Sequence, residues 1–89
     1  MKGKSIHDFG YGIMISKLRE IREGKGIKQS ELAILIGVDQ TFISKIENRE
    51  RRLDLIELRK ICEALELSLI DFIKDFEETV EQQKKNGRF

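Results

Sequence analysis

The stretch QSELAILIGVDQTFISKIEN, from Gln29 to Asn48, constrains the fold more than any other part of this chain. Gln29 to Ile36 has a helical pattern with Leu32, Ala33 and Ile36 on one side, and Gly37 follows as its stop. Glycine adopts the left-handed conformation that ends a helix at no steric cost. Asp39 is a good cap for a next helix, which keeps Ile43 and Ile46 on one face. Only Gly37, Val38 and Asp39 separate the two helices. Val38 can anchor that turn in the core, and Ala33 is small where two helices must approach, so the pair is expected to cross. The plain alternative is any small helical bundle with a short second helix.

Three further segments have helical punctuation. Upstream, Met14, Leu18 and Ile21 recur at spacings of four and three, and the segment ends at Gly24-Lys25-Gly26. Downstream, Asp54-Leu55-Ile56-Glu57 resembles a capping box, with Leu55, Leu58, Ile61, Cys62 and Leu65 as its stripe. The last segment starts near Ser68, lines Phe72, Ile73, Phe76 and Val80 on one side, and frays into EQQKKNGRF. The chain has 89 residues, no proline, 39% hydrophobic and 37% charged residues. That length suits one core, and that composition suits an all-α domain. The expected division is a lead-in over 1–12, a domain over 13–80 and a flexible charged tail over 81–89.

Net charge is only +1, so a polyanionic partner would need a local basic patch. The charge is segregated. Residues 1–28 carry seven bases against three acids, and residues 61–81 carry one base, Lys74, against seven acids. Such a chain has a preferred orientation in a polyanion's field. The lone Cys62 falls on an apolar helical face and reads as a buried, reduced, cytosolic thiol. The lone His7 has no Cys or His companion, which argues against a zinc site. No apolar run follows the N-terminal lysines and no stretch reaches membrane-spanning length, so neither signal peptide nor membrane contact is expected. A phosphate loop, a nucleophile elbow and a paired-His motif are all missing, so neither enzyme activity nor a cofactor is expected.

Taken together, LREIRE…KQSELA…IGV, FISKIEN and RRLD…IC.AL resemble the Cro/repressor-type (XRE-family) helix-turn-helix domain from about Tyr11 to Phe76. Upstream, SIHDFGY resembles the lead-in of one subgroup that also carries the RRLD run. The resemblance implies a five-helix, lambda-repressor-like bundle whose third helix, Gln40 to about Asn48, enters the DNA major groove. It implies a cytoplasmic regulator of transcription that binds inverted-repeat operators in duplex DNA as a homodimer. It also implies a largely buried structural pair between Arg19 and Glu47.

With Ile43 and Ile46 inward, Gln40, Thr41, Ser44 and Lys45 lie on the opposite side and become candidate base contacts. Gln40 matches adenine N6 and N7, and Lys45 matches guanine O6 and N7. Candidate phosphate contacts are Gln29 and Ser30, at the start of the second helix, and Asn48, Arg49, Arg51 and Arg52, beyond the third. One of the three arginines is expected to pair with Glu50, Asp54 or Glu57 instead. Phe42 is open between the core and a sugar or thymine methyl, with the core first. By elimination, Phe72, Ile73, Phe76 and Val80 are the candidate dimer interface, the alternative being that they close the monomer core.

Three positions depart from the family pattern. Lys28 stands where Ser or Thr normally caps the second helix. Arg49 replaces the usual glycine, so either it is strained in the left-handed region or the third helix runs on. Ile34 and Leu35 are apolar where the family is usually polar, and either the N-terminal segment covers them or a partner does. The rival function is a protein-interaction module, such as an antitoxin or a repressor partner, built on the same fold.

Overall fold

A computed structural model describes residues 8–87; His7, the two N-terminal lysines and the last two residues of the expected tail lie outside them. The described residues form five helices: α1 Phe9–Gly24, α2 Gln29–Ile36, α3 Gln40–Glu47, α4 Leu55–Ala64 and α5 Leu69–Lys85. This is the all-α, five-helix architecture expected. Two boundaries differ from the sequence reading. Helix α1 starts within the expected lead-in, because the Asp8 carboxylate accepts the Gly10 N–H at 2.8 Å and caps it there. Helix α5 continues to Lys85, through most of the expected tail.

Acidic or hydroxyl caps start the other helices as well. Asp39 accepts from the Phe42 N–H at 3.0 Å, and Ser68 accepts from Asp71 at 3.2 Å. Asp54 and Glu57 form a reciprocal box, each side chain accepting the other's N–H. At α2 the lysine departs from this rule, as expected. Lys28 has no acceptor to offer, and only the return half of a box forms, Glu31 accepting the Lys28 N–H at 2.8 Å.

The first four helices end in one way. A left-handed residue follows the last turn, at Gly26, Gly37, Arg49 and Glu66, with φ between 57° and 75°. The next N–H then reaches back to a carbonyl five residues earlier: Ile27 to Arg22, Val38 to Ala33, Glu50 to Lys45 and Leu67 to Cys62. Arg49 therefore ends α3 as the missing glycine would, in a conformation disfavoured for a residue with a Cβ. The helix does not run on.

The core is Ile15, Leu18, Leu32, Ala33, Ile43, Ile46, Leu58, Ile61, Cys62, Leu65 and Phe72. Val38 packs against it, which holds the α2–α3 turn in place. Three expected faces are corrected. In α1 the innermost stripe is Ile15, Leu18 and Arg22, with Met14 and Ile21 at its edges. Leu55 is exposed at the start of α4. Phe72, expected in a dimer interface, is 2% exposed and closes the monomer core, whereas Ile73 beside it is 38% exposed. Burial pushes the Cys62 thiol pKa up. Among the described residues, no helix is long and apolar enough to cross a membrane.

Glu66→Gly removes the Cβ from an exposed left-handed position where no close side-chain contact is at stake. The substitution is expected to raise stability by about 0.5–1 kcal/mol, the left-handed penalty less the extra freedom of the unfolded chain. A urea melt measures it, and a loss of stability would refute the assigned strain.

Candidate nucleic-acid interface

The third helix is held by one buried ion pair. Arg22 Nε and Nη2 donate to Glu47 Oε2 and Oε1 at 2.7 and 2.9 Å, a bidentate fork. The third guanidinium nitrogen, Nη1, donates to the Ile27 carbonyl at 2.6 Å, so the loop after α1 joins the same group. Both side chains are almost wholly buried. This corrects the expected partner. Arg22 follows Leu18 by four residues and shares its inward face, whereas Arg19 is turned outward. Arg19 is 53% exposed, bonds Glu23 at 3.1 Å and stays 4.0 Å from Glu47.

A fourth group completes the network. Gln29, at the start of α2, donates its Nε2 to Glu47 Oε1 at 2.9 Å. Its Oε1 in turn accepts from Gln40 Nε2 at 3.4 Å, at the start of α3. The starts of α2 and α3 are thus tied side by side. A sequence reading that treats Gln29 as a surface residue misses this, because nothing local marks its inward reach.

With Ile43 and Ile46 buried, the opposite side of α3 carries exposed Gln40, Thr41 and Lys45, and half-buried Ser44. Ser44 Oγ accepts from Asn48 Nδ2 at 3.4 Å. These four base-contact candidates do share one face, with exposed Ser30 at the neighbouring start of α2. The first N–H groups of a helix lack intrahelical partners and favour an anion.

The arginines after α3 separate. Arg51 is the one drawn into a pair, both its Nη atoms donating to the Glu57 carboxylate at 3.0 Å. That fork, with the Asp54 N–H, holds the Glu57 pKa below the usual carboxylate range. Its guanidinium also covers the Phe42 ring at 4.3 Å, so Phe42 is a partly buried ring packed between the core and Arg51. Arg49 lies against Gly12 of α1, where an added methyl would collide with its Nη1. Arg52 stacks over Tyr11 at 5.4 Å, and the Tyr11 hydroxyl donates to the Arg51 carbonyl at 3.2 Å. Burial raises the Tyr11 pKa. Tyr11, in the SIHDFGY lead-in, therefore staples α1 to the RRLD run.

A family model described as Helix-turn-helix matches residues 18–72, more than half of the chain. The control protein C.MunI of Mycoplasma sp is 35% identical over 63 residues, 70% of this chain and 85% of its own. Antitoxin HipB of Escherichia coli is 38% identical over 72 residues, 79% of this chain and 82% of its own. Among solved structures, an XRE-family like protein from Pseudomonas syringae pv. tomato has a TM-score of 0.78 at 38% identity, covering 83% of this chain and 90% of that one. The wild-type restriction-modification controller protein C.Esp1396I has a TM-score of 0.75 at 30% identity, covering 83% and 96%.

Glu47→Ala strands the buried Arg22 charge and is expected to cost about 3–5 kcal/mol of folding stability. Arg19→Ala, at an exposed pair, is expected to cost less than about 1 kcal/mol. Paired chemical melts decide between the two arginines, and equal losses would reverse the assignment.

Proposed function

The chain belongs to the Cro/repressor-type helix-turn-helix family and is a DNA-binding transcriptional regulator, and from that premise we propose that α3 is its recognition helix. Gln40, Thr41, Ser44 and Lys45 face base edges in the major groove, and Ser30, Asn48 and Arg52 meet the backbone phosphates. The observation that carries this reading is the two-faced α3. One side is fixed by Ile43, Ile46 and Glu47, and the other presents polar, hydrogen-bonding side chains. Gln29 and Arg51 are drawn into the fold itself, so they position the contacting residues more than they touch DNA. Arg49, lying on α1, is set apart from the phosphate group.

The active species is a homodimer on an inverted repeat. Ile70 and Ile73 are exposed on α5, while Phe76 and Val80 are half-buried at the same helix. Isoleucines left in water on a helix whose other side fills the core favour a protein contact there. The acids of α5 suit an element that stays away from the phosphates. In such a dimer the two recognition helices stand about 34–36 Å apart, one turn of DNA.

A second reading has its own support. Ile34 is 78% exposed and Leu35 59% on α2, with no described segment over them, and one similar protein is an antitoxin. A protein partner seated on α2 would add a further layer of control to DNA binding.

Selection of bound duplexes from a random pool tests the main reading. The chain is expected to enrich an inverted repeat, with affinity falling steeply as salt rises. Gln40→Ala is expected to relax preference at one or two base pairs by about 1–3 kcal/mol each. Arg52→Ala should weaken all sequences alike and lower the salt slope by about one. Enrichment of nothing above bulk DNA would refute sequence-specific regulation. Separately, Ile73→Asp should shift a sedimenting dimer to monomer with little change in melting temperature; an unchanged dimer places the interface elsewhere.

A further inference from the structure

We infer that the groove between α1 and α5, bordered by Arg49, is a binding site for a small aromatic monocarboxylate. The site goes beyond DNA recognition and does not depend on it.

Two residue choices here are unfavourable for folding. Arg49 occupies a left-handed position, φ 59°, where glycine would be free of strain. Gly12 lies inside α1, where almost any other residue makes a better helix. Both serve one arrangement. The Arg49 guanidinium lies across α1 in the notch that Gly12 leaves, where a Cβ would collide with its Nη1. Yet the guanidinium gains no hydrogen bond or ion pair among the described residues. Arg49 is half-buried, and its five N–H donors stand in a fixed fork without an acceptor of their own. Such a fork matches a carboxylate, which accepts two parallel bonds from it.

The surrounding groove sets what that carboxylate can carry. Its volume of about 470 Å³ suits a small ligand. On one side of Gly12, the exposed Phe9 ring and Ile13 form an apolar wall. On the other, Ser16 and Glu20 continue the same stripe of α1, and Glu20 stands two turns away, about 12 Å along the axis. Lys17 also borders the groove, but Asp75 of α5 holds it at 2.8 Å. Among the described residues, the groove thus joins an unpaired cation, an acid and an apolar wall. A second negative charge on the ligand would face either the wall or Glu20, and both disfavour it. One carboxylate on Arg49 with a flat ring against Phe9 satisfies all three.

Phenylacetate is the probe, titrated into the isotope-labelled full chain and followed by amide NMR shifts. Saturable shifts should centre on Gly12, Ser16, Arg49 and Thr79, with half-saturation at about 1 mM, as a ligand of that size allows. Arg49→Gly suits the left-handed backbone, and a thermal melt confirms its fold. It should weaken binding about tenfold or more, the loss of a charged hydrogen-bonding partner. Phenylsuccinate, which adds a second carboxylate, should bind wild type several-fold more weakly than phenylacetate, and Glu20→Gln should narrow that gap. Benzyl alcohol, a ring without charge, should leave these amides unmoved. Absent or scattered shifts, equal binding of benzyl alcohol, or no preference over phenylsuccinate would overturn the inference. If Arg49→Gly leaves phenylacetate binding intact and weakens every duplex alike, the guanidinium serves a DNA phosphate. The inference then falls while the recognition-helix reading stands.

Discussion

The Arg22–Glu47 fork is the constraint on which the rest of this domain depends. A charge pair with both side chains under a tenth exposed is tolerated only when every strong donor and acceptor has a partner. Here the partners come from three elements: the guanidinium from α1, the carboxylate from α3 and an amide from α2, with the Ile27 carbonyl between them. Apolar packing of Ile43 and Ile46 alone would let α3 slide or roll by small amounts. A bidentate fork allows far less freedom, because its two hydrogen bonds define a plane as well as a distance. The outward face of α3 therefore inherits its orientation from a buried charge, and the groups proposed to meet base edges have little tolerance for error.

Much of this was legible in the sequence, for identifiable reasons. Helix number, the crossed α2–α3 pair and the inward Ile43 and Ile46 follow from apolar spacing, caps and Gly37, all of them local signals. Long-range pairing is different. Arg19 and Arg22 are both bases on the same helix, and only the rotation of α1 decides which one faces Glu47. Arg19 is the partner the family resemblance implies, whereas the Ile15–Leu18–Arg22 face turns Arg22 to Glu47 and leaves Arg19 outward. Phe72 misled for a similar reason. An apolar stripe on a terminal helix has one edge in the core and one in water, and sequence does not separate Phe72 from Ile73. Arg49 shows the limit of residue-type rules, since the backbone bonds of the helix end, Glu50 to Lys45 and Arg49 to Ile46, hold the left-handed turn without glycine.

The connection between α3 and α4 is organised by two aromatic rings. Phe42 sits beneath Arg51, and Tyr11 beneath Arg52, while the Tyr11 hydroxyl bonds the backbone between those two arginines. Arg51 also holds Glu57, a member of the α4 cap. Consecutive arginines in a loop would otherwise repel each other and wander. Here each is set against a ring, and one against a carboxylate as well, so the loop has a defined course from the end of α3 to the start of α4. That is why a lead-in residue forty positions upstream belongs to the same functional unit as the RRLD run.

A net charge of +1 suits DNA binding only if the charge is arranged. The basic first third of the chain supplies α1 and the approach to α2, and the acidic stretch lies on the end of α4 and on α5. One bridge between these halves, Lys17 to Asp75 at 2.8 Å, joins α1 to α5 and neutralises the two charges where the helices meet. What remains is charge segregated along the sequence. A uniformly basic domain of this size would hold any DNA firmly in many orientations. A segregated one gains less from bulk attraction and more from one orientation, and the recognition-helix proposal has α5 turned from the phosphates and α3 toward the bases. On that proposal, sequence preference rests on the few polar groups of α3, and the burden of discrimination falls on how rigidly Gln40 and Lys45 are aimed.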